Sequence, residues 1–85
     1  MTMFLNAGTD EIRKKNIIGI FDLDTSTVSK KTRDFLARAE KEGRVTLLTC
    51  DLPRSFIVTL ENGEQRVYLC SYSTATLLER TNSVY

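Results

Sequence analysis

The sequence predicts an α+β domain: a small, mostly antiparallel sheet with one long amphipathic helix and a short C-terminal helix, the helices packed on one face. Three observations carry that reading. Asn62-Gly63 separates two β-rich runs, 56–61 and 65–70, and Asn-Gly accepts the positive φ angles of a type I′ hairpin turn. From 28 to 42, Val28, Thr32, Phe35, Leu36 and Ala39 fall within about a third of a helical turn. Gly43 then stands where a left-handed C-terminal cap belongs. Finally, Ile17-Ile-Gly-Ile-Phe21 is a short apolar run of β-branched and aromatic residues, which favours a buried strand.

Taken in order, residues 3–6 form a short apolar edge strand that ends at Gly8, and Thr9-Asp10-Glu11 reads as a turn. Arg13-Lys14-Lys15-Asn16 is a basic run before the 17–21 strand, and Gly19 inside that strand marks a close approach by another backbone. The polar stretch Asp22–Thr27 breaks the strand, with Ser26 or Thr27 as N-cap of the 28–42 helix. Val45–Cys50 is a further apolar run, and Asp51-Leu52-Pro53 is a turn. A two-residue hairpin loop then sets Glu61 opposite Glu64, a mild repulsion that Arg66, diagonal to Glu61, relieves. Ser73 caps a last helix over 74–80 that buries Leu77, with Leu78 as a second candidate for burial. The ordered core is expected over about 3–80 of a single 1–85 domain, with 81–85 frayed.

Composition narrows the function classes. At 85 residues the core is thin, and large two-domain cofactor folds do not fit. There is no His, so the usual proton shuttle near neutral pH is missing. Cys50 and Cys70 lie twenty positions apart without a CxxC, so Cys and His alone make no four-ligand zinc site. A disulfide between them is conceivable, but they read better as reduced thiols of a cytoplasmic protein. The N-terminus lacks the basic and long apolar regions of a signal peptide, so neither secretion nor a membrane span is expected. No cofactor or metal is expected either.

The most enzyme-like string is Ile17–Phe21 followed by Asp22-Leu-Asp24-Thr25, which resembles the nucleophile motif of haloacid-dehalogenase-type phosphatases. That fold needs an extended parallel sheet well beyond this length. Thr25 replaces the motif's usual Gly, and no later acidic pair completes a metal site, since Glu61 and Glu64 flank a hairpin turn. Asp22 and Asp24 therefore read as a turn and cap at a strand end, where Asp bonds to nearby backbone N–H groups. No catalytic residue is assigned.

The net charge of +1 hides an asymmetry: residues 13–44 hold nine of the twelve basic residues and five acidic ones. Lys30, Lys31, Arg33, Arg38 and Lys41 lie on the helix face away from the core, with Asp34 placed to pair at i, i±4. That face reads as ordinary solvated surface. Arg13-Lys14-Lys15 is a denser cluster of the kind that contacts phosphates, where released counterions favour binding. Apolar residues on both faces of 17–21 and 56–60 predict self-association.

Several segments together resemble the small RemA/RemB-type extracellular matrix regulators of Gram-positive bacteria, and most closely the RemB branch. They are Phe4-Leu5-Asn6-x-Gly8, Asn16-Ile-Ile-Gly-Ile-Phe-Asp22, Phe35-Leu36, Pro53-Arg54-Ser55-Phe56-Ile57-Val58-Thr59 and Ser71-Tyr-Ser-Thr-Ala-Thr-Leu-Leu-Glu-Arg80. The resemblance covers about residues 3–80, and its specificity comes from the order and spacing of the segments. It implies a non-enzymatic cytoplasmic regulator of biofilm-matrix genes. It also implies ring-like homo-oligomers that array basic residues along double-stranded DNA. Carried over residue by residue, it matches Arg54 and offers Lys14 and Lys15 as near substitutes; with Arg13 of the same basic cluster, Arg13, Lys14, Lys15 and Arg54 are the candidate DNA-contacting set. RemA-type chains have Arg where this one has Asn16, with Lys14 and Lys15 as near substitutes, and Asp51 reverses a charge in their second basic run. Apart from the resemblance, Arg54 reads equally as a partner for Asp51 or Glu61. The alternative function is a protein-interaction or assembly module of the same fold without a nucleic-acid role.

Overall fold

The computed structural model describes residues 4–8, 11–26 and 29–81, with the side chains of Ser26 and Thr81 left aside. In chain order the elements are β1 (Phe4–Asn6), β2 (Glu11–Arg13), a 3-10 turn over Lys14–Asn16, β3 (Ile17–Asp22) and α1 (Leu23–Ser26). Then come α2 (Lys30–Lys41), β4 (Val45–Leu47), β5 (Ser55–Glu61), β6 (Glu64–Cys70) and α3 (Thr74–Thr81). The class is α+β, as the sequence predicts.

The hairpin organises the sheet. Asn62 and Gly63 take φ of 54° and 81°, and the register sets Glu61 opposite Glu64, as a two-residue I′ loop requires. The charge is relieved differently from expectation. Arg66 pairs with Glu64 on its own strand at 3.6 Å, while Glu61 Oε2 accepts hydrogen bonds from Thr59 Oγ1 at 2.8 Å and Tyr68 Oη at 2.7 Å.

The four-stranded order is β3-β5-β6-β4. β3 and β6 both run antiparallel to β5, and β4 runs parallel to β6. The parallel pair follows from α2, which carries the chain from one edge of the sheet to the other and returns it in the direction of β3. The N-terminal strand joins no edge of this sheet. Leu5 pairs with Ile12 in a separate β1–β2 ribbon, so Glu11, expected in a turn, is a strand residue.

Residues 55–59 of β5 are buried without interruption, which demands cover on both faces of the sheet. The helices accordingly take opposite faces, not the single face that the sequence predicts. Phe35, Leu36 and Ala39 of α2 pack on Phe56, Val58 and Val67. Leu77 of α3 joins Leu5, Ile12, Leu48, Ile57 and Cys70 on the other side. Leu78 is 48% exposed.

The helix ends are mostly legible chemistry. Arg44 N–H donates to the Ala39 carbonyl at 2.8 Å and Gly43 N–H to the Glu40 carbonyl at 3.1 Å, with Gly43 at φ 73°. That is a Schellman cap on the glycine expected to provide it. Ser73 Oγ accepts the Thr76 N–H at 3.2 Å and caps α3 as predicted. The start of α2 differs: Ser29 is its N-cap, without a side-chain bond, and Ser26 belongs to the preceding turn of helix. Thr27, Val28, Thr9, Asp10 and the tail beyond Thr81 lie outside the described residues. No helix among the described residues is long and apolar enough to cross a membrane.

Candidate nucleic-acid interface

Arg13 ends β2, and its guanidinium lies over the Phe4 ring at 5.8 Å. The 3-10 turn then presents Lys15 exposed and Lys14 half-buried before β3 begins. This segment lies at the Ile17↔Thr59 end of the β3–β5 pair. Together with Glu11, Asn16, Glu61 and Tyr68, Arg13 and Lys15 line an open polar cleft of about 530 Å³. The cleft is mixed in sign, with two carboxylates beside two cations.

Arg54 lies at the other end. Its N–H donates to the Cys70 carbonyl at 2.8 Å and its carbonyl accepts the Leu23 N–H at 3.0 Å, so its backbone is held by both neighbouring segments while its side chain is exposed. It pairs with neither Asp51 nor Glu61. Indeed Arg13, Lys15 and Arg54 make no ion pair among the described residues. The length of β3 separates Arg54 from the 13–15 run, roughly 20 Å at ~3.3 Å per residue. One protomer therefore does not gather the four predicted residues into one patch.

The outer face of α2 is a second basic surface. Lys30 is tied to Asp34 at 2.9 Å, as the i, i+4 spacing predicts, and Lys31, Arg33, Arg38 and Lys41 are exposed. Arg44, by contrast, is structural: it pairs with Glu42 at 2.7 Å and donates to the Gln65 carbonyl at 3.0 Å.

Asp22 has a local role. Its Oδ1 accepts the N–H groups of Asp24 at 2.8 Å and Thr25 at 3.2 Å, capping the single turn of α1. This is the turn-and-cap geometry read from the sequence. Among the described residues, no three His, Cys, Asp or Glu side chains gather where one cation would bind. Both cysteines are free, Cys50 exposed and Cys70 buried, with Cys70 Sγ 3.2 Å from Ser55 Oγ.

The sequence predicts a buried strand over 17–21. It is an edge strand, with Ile18 57% and Phe21 42% exposed. These two side chains, with Thr32, Phe35, Phe56 and Val58, line an apolar groove of about 290 Å³ between β3 and α2. Gly19 is approached by a side chain rather than a backbone: a Cβ there would lie 2.7 Å from the Phe21 ring, which stacks on Phe56 at 5.1 Å. The signal for an edge was the sheet order, which a run of apolar residues alone does not encode.

No family model matches the chain, and no curated protein matches it.

Proposed function

We propose that this chain is a non-enzymatic cytoplasmic regulator of the RemA/RemB extracellular-matrix type, working as a homo-oligomer that contacts the backbone of duplex DNA. The observation that carries the reading is the exposure of Arg13, Lys15 and Arg54 without an acidic partner among the described residues. Phosphate contacts draw on such cations, and Arg can grip a phosphate through two parallel hydrogen bonds. Their division between two ends of β3 leaves one protomer with two small, weak contacts. Repetition in an oligomer multiplies them, because each further contact becomes intramolecular. The resemblance supplies the link to matrix genes.

The test is a gel-shift series on random duplex DNA at several salt concentrations, beside a mass measurement in solution. The reading expects an oligomer that binds at low salt and releases as salt rises. An assembly module without DNA is the second reading, favoured by Glu11 and Glu61 beside Arg13 and Lys15 in the cleft. An oligomer that fails to shift DNA at low salt selects it.

A further inference from the structure

The geometry assigns β3 as a homodimerisation edge: a second copy adds its own β3 antiparallel about a two-fold axis at Ile20, joining two sheets into one. This rests on the reading that the chain self-associates, and it names the surface used.

Four features agree on the occupant. The first is the edge itself. β3 ends the sheet, spans six residues and holds neither Pro nor Lys, and its one bulge lies between Ile17 and Gly19, which leaves residues 19–22 in regular register. Bonding alternates along an antiparallel pair, and Leu23 N–H donates to Arg54. Phe21 therefore faces β5, while Ile20 turns its N–H and C=O outward and Asp22 its N–H. A second antiparallel strand matches that pattern group for group.

The second feature is steric. A two-fold axis at Ile20 places Phe21 opposite Gly19 of the second copy. The ring of each protomer, already folded over its own Gly19, meets a residue with no side chain. Aromatic cover of a cross-strand glycine is a recurrent device for fixing register.

Third, the apolar surface lies on the same edge. Ile18 and Phe21 are 57% and 42% exposed beside the groove floored by Phe35, Phe56 and Val58. Pairing brings a second Ile18 and Phe21 to that groove and removes both from water.

The fourth is charge. Lys14-Lys15 precede β3, and Asp22 and Asp24 lie at and just beyond its end. In the two-fold pairing the basic turn that precedes β3 in one copy and the acidic end of β3 in the other lie at the same end of the joined strands, and the arrangement recurs at the other end. A strand whose start is basic and whose end is acidic is complementary to its own reversed copy.

Two variants test this. Sedimentation of the parent should show a dimer or a multiple of it. Ile18→Lys, at an exposed position, should weaken association at least tenfold while leaving the far-ultraviolet spectrum unchanged. Ile20→Cys in a Cys50→Ser background should give a disulfide-linked dimer on mild oxidation, since self-paired residues lie about 5.5 Å apart at Cα, within disulfide reach. An oligomeric parent whose mass is unaffected by Ile18→Lys, with no cross-link at residue 20, overturns the β3 edge and moves assembly elsewhere, such as β4. A parent that is monomeric at ~100 μM, where even ~5 kcal/mol of association would register, overturns self-association as well.

Discussion

Truncating Leu77 to Ala should be among the most damaging conservative changes in the chain. Leu77 is fully buried, and it is the α3 residue that enters the core beside Leu5, Ile57 and Cys70. The change removes three carbons, a transfer loss of about 2.4 kcal/mol at ~0.8 kcal/mol each. It also leaves a cavity that raises the total to about 3–4 kcal/mol. The other described α3 anchors are polar: the Ser73 cap, and Arg80, which donates to the Asn6 carbonyl at 3.0 Å and lies over the Tyr72 ring at 4.3 Å. They cannot refill an apolar void. A chain of 85 residues has a stability of about 4–13 kcal/mol, so the loss is a large share of the whole. The melting temperature should fall by roughly 12–30 °C. Leu78→Ala, one position along and 48% exposed, is the control and should cost less than about 1 kcal/mol. Urea titration followed by circular dichroism measures both, with an unchanged m-value certifying the comparison. Equal losses from the two variants, or less than ~1 kcal/mol from Leu77→Ala, would refute the placement of α3.

Gly8→Ala should destabilise by about 2 kcal/mol or more in the same titration, because Gly8 holds φ 129° and a Cβ there would collide with the Leu48 carbonyl oxygen. Ser55→Ala should cost about 1–2 kcal/mol, since the buried Ser55 hydroxyl donates to the Tyr72 carbonyl at 2.7 Å and nothing replaces that bond. Asp22→Ala should cost about 1 kcal/mol by removing the cap on α1, whereas Asp22→Asn, which keeps an oxygen acceptor, should change stability by only a few tenths. Neither should alter DNA binding, and Mg²⁺-dependent turnover of a phosphate ester that vanishes in Asp22→Asn would contradict the capping role assigned to this carboxylate.

Much of the fold is written in local chemistry. Asn62-Gly63 dictates the hairpin and its register through two left-handed residues, and Gly43 dictates the end of α2 in the same way. Ser73 announces α3. What the sequence conceals is non-local. Continuous burial of 55–59 looks the same in one dimension whether one face is covered by helices or both, so the split of α2 and α3 was not legible. The pairing of Leu5 with Ile12 was hidden because both runs are three residues long, too short to show alternation. The candidate site was partly legible: Arg13, Lys15 and Arg54 are exposed as expected of phosphate ligands, but their distance apart depends on the antiparallel register of β3 with β5. The edge position of Ile18 and Phe21 depends on strand order, which no residue type declares.

The most direct measurement is the salt dependence of binding to random duplex DNA by the parent and by Arg54→Ala, read by fluorescence anisotropy. For the parent, log Kobs should fall linearly with log salt concentration, on unrelated duplexes alike, because phosphate contacts carry no base information. Arg54→Ala should flatten that slope by about one unit for every phosphate that Arg54 neutralises. Combined replacement of Arg13, Lys14, Lys15 and Arg54 by Ala should abolish binding while leaving the oligomer intact. An unchanged slope in that quadruple variant would contradict the account and move the DNA-binding surface to Lys30, Arg33, Arg38 and Lys41 on α2. An oligomeric parent that binds no DNA at low salt would remove nucleic acid from the function altogether.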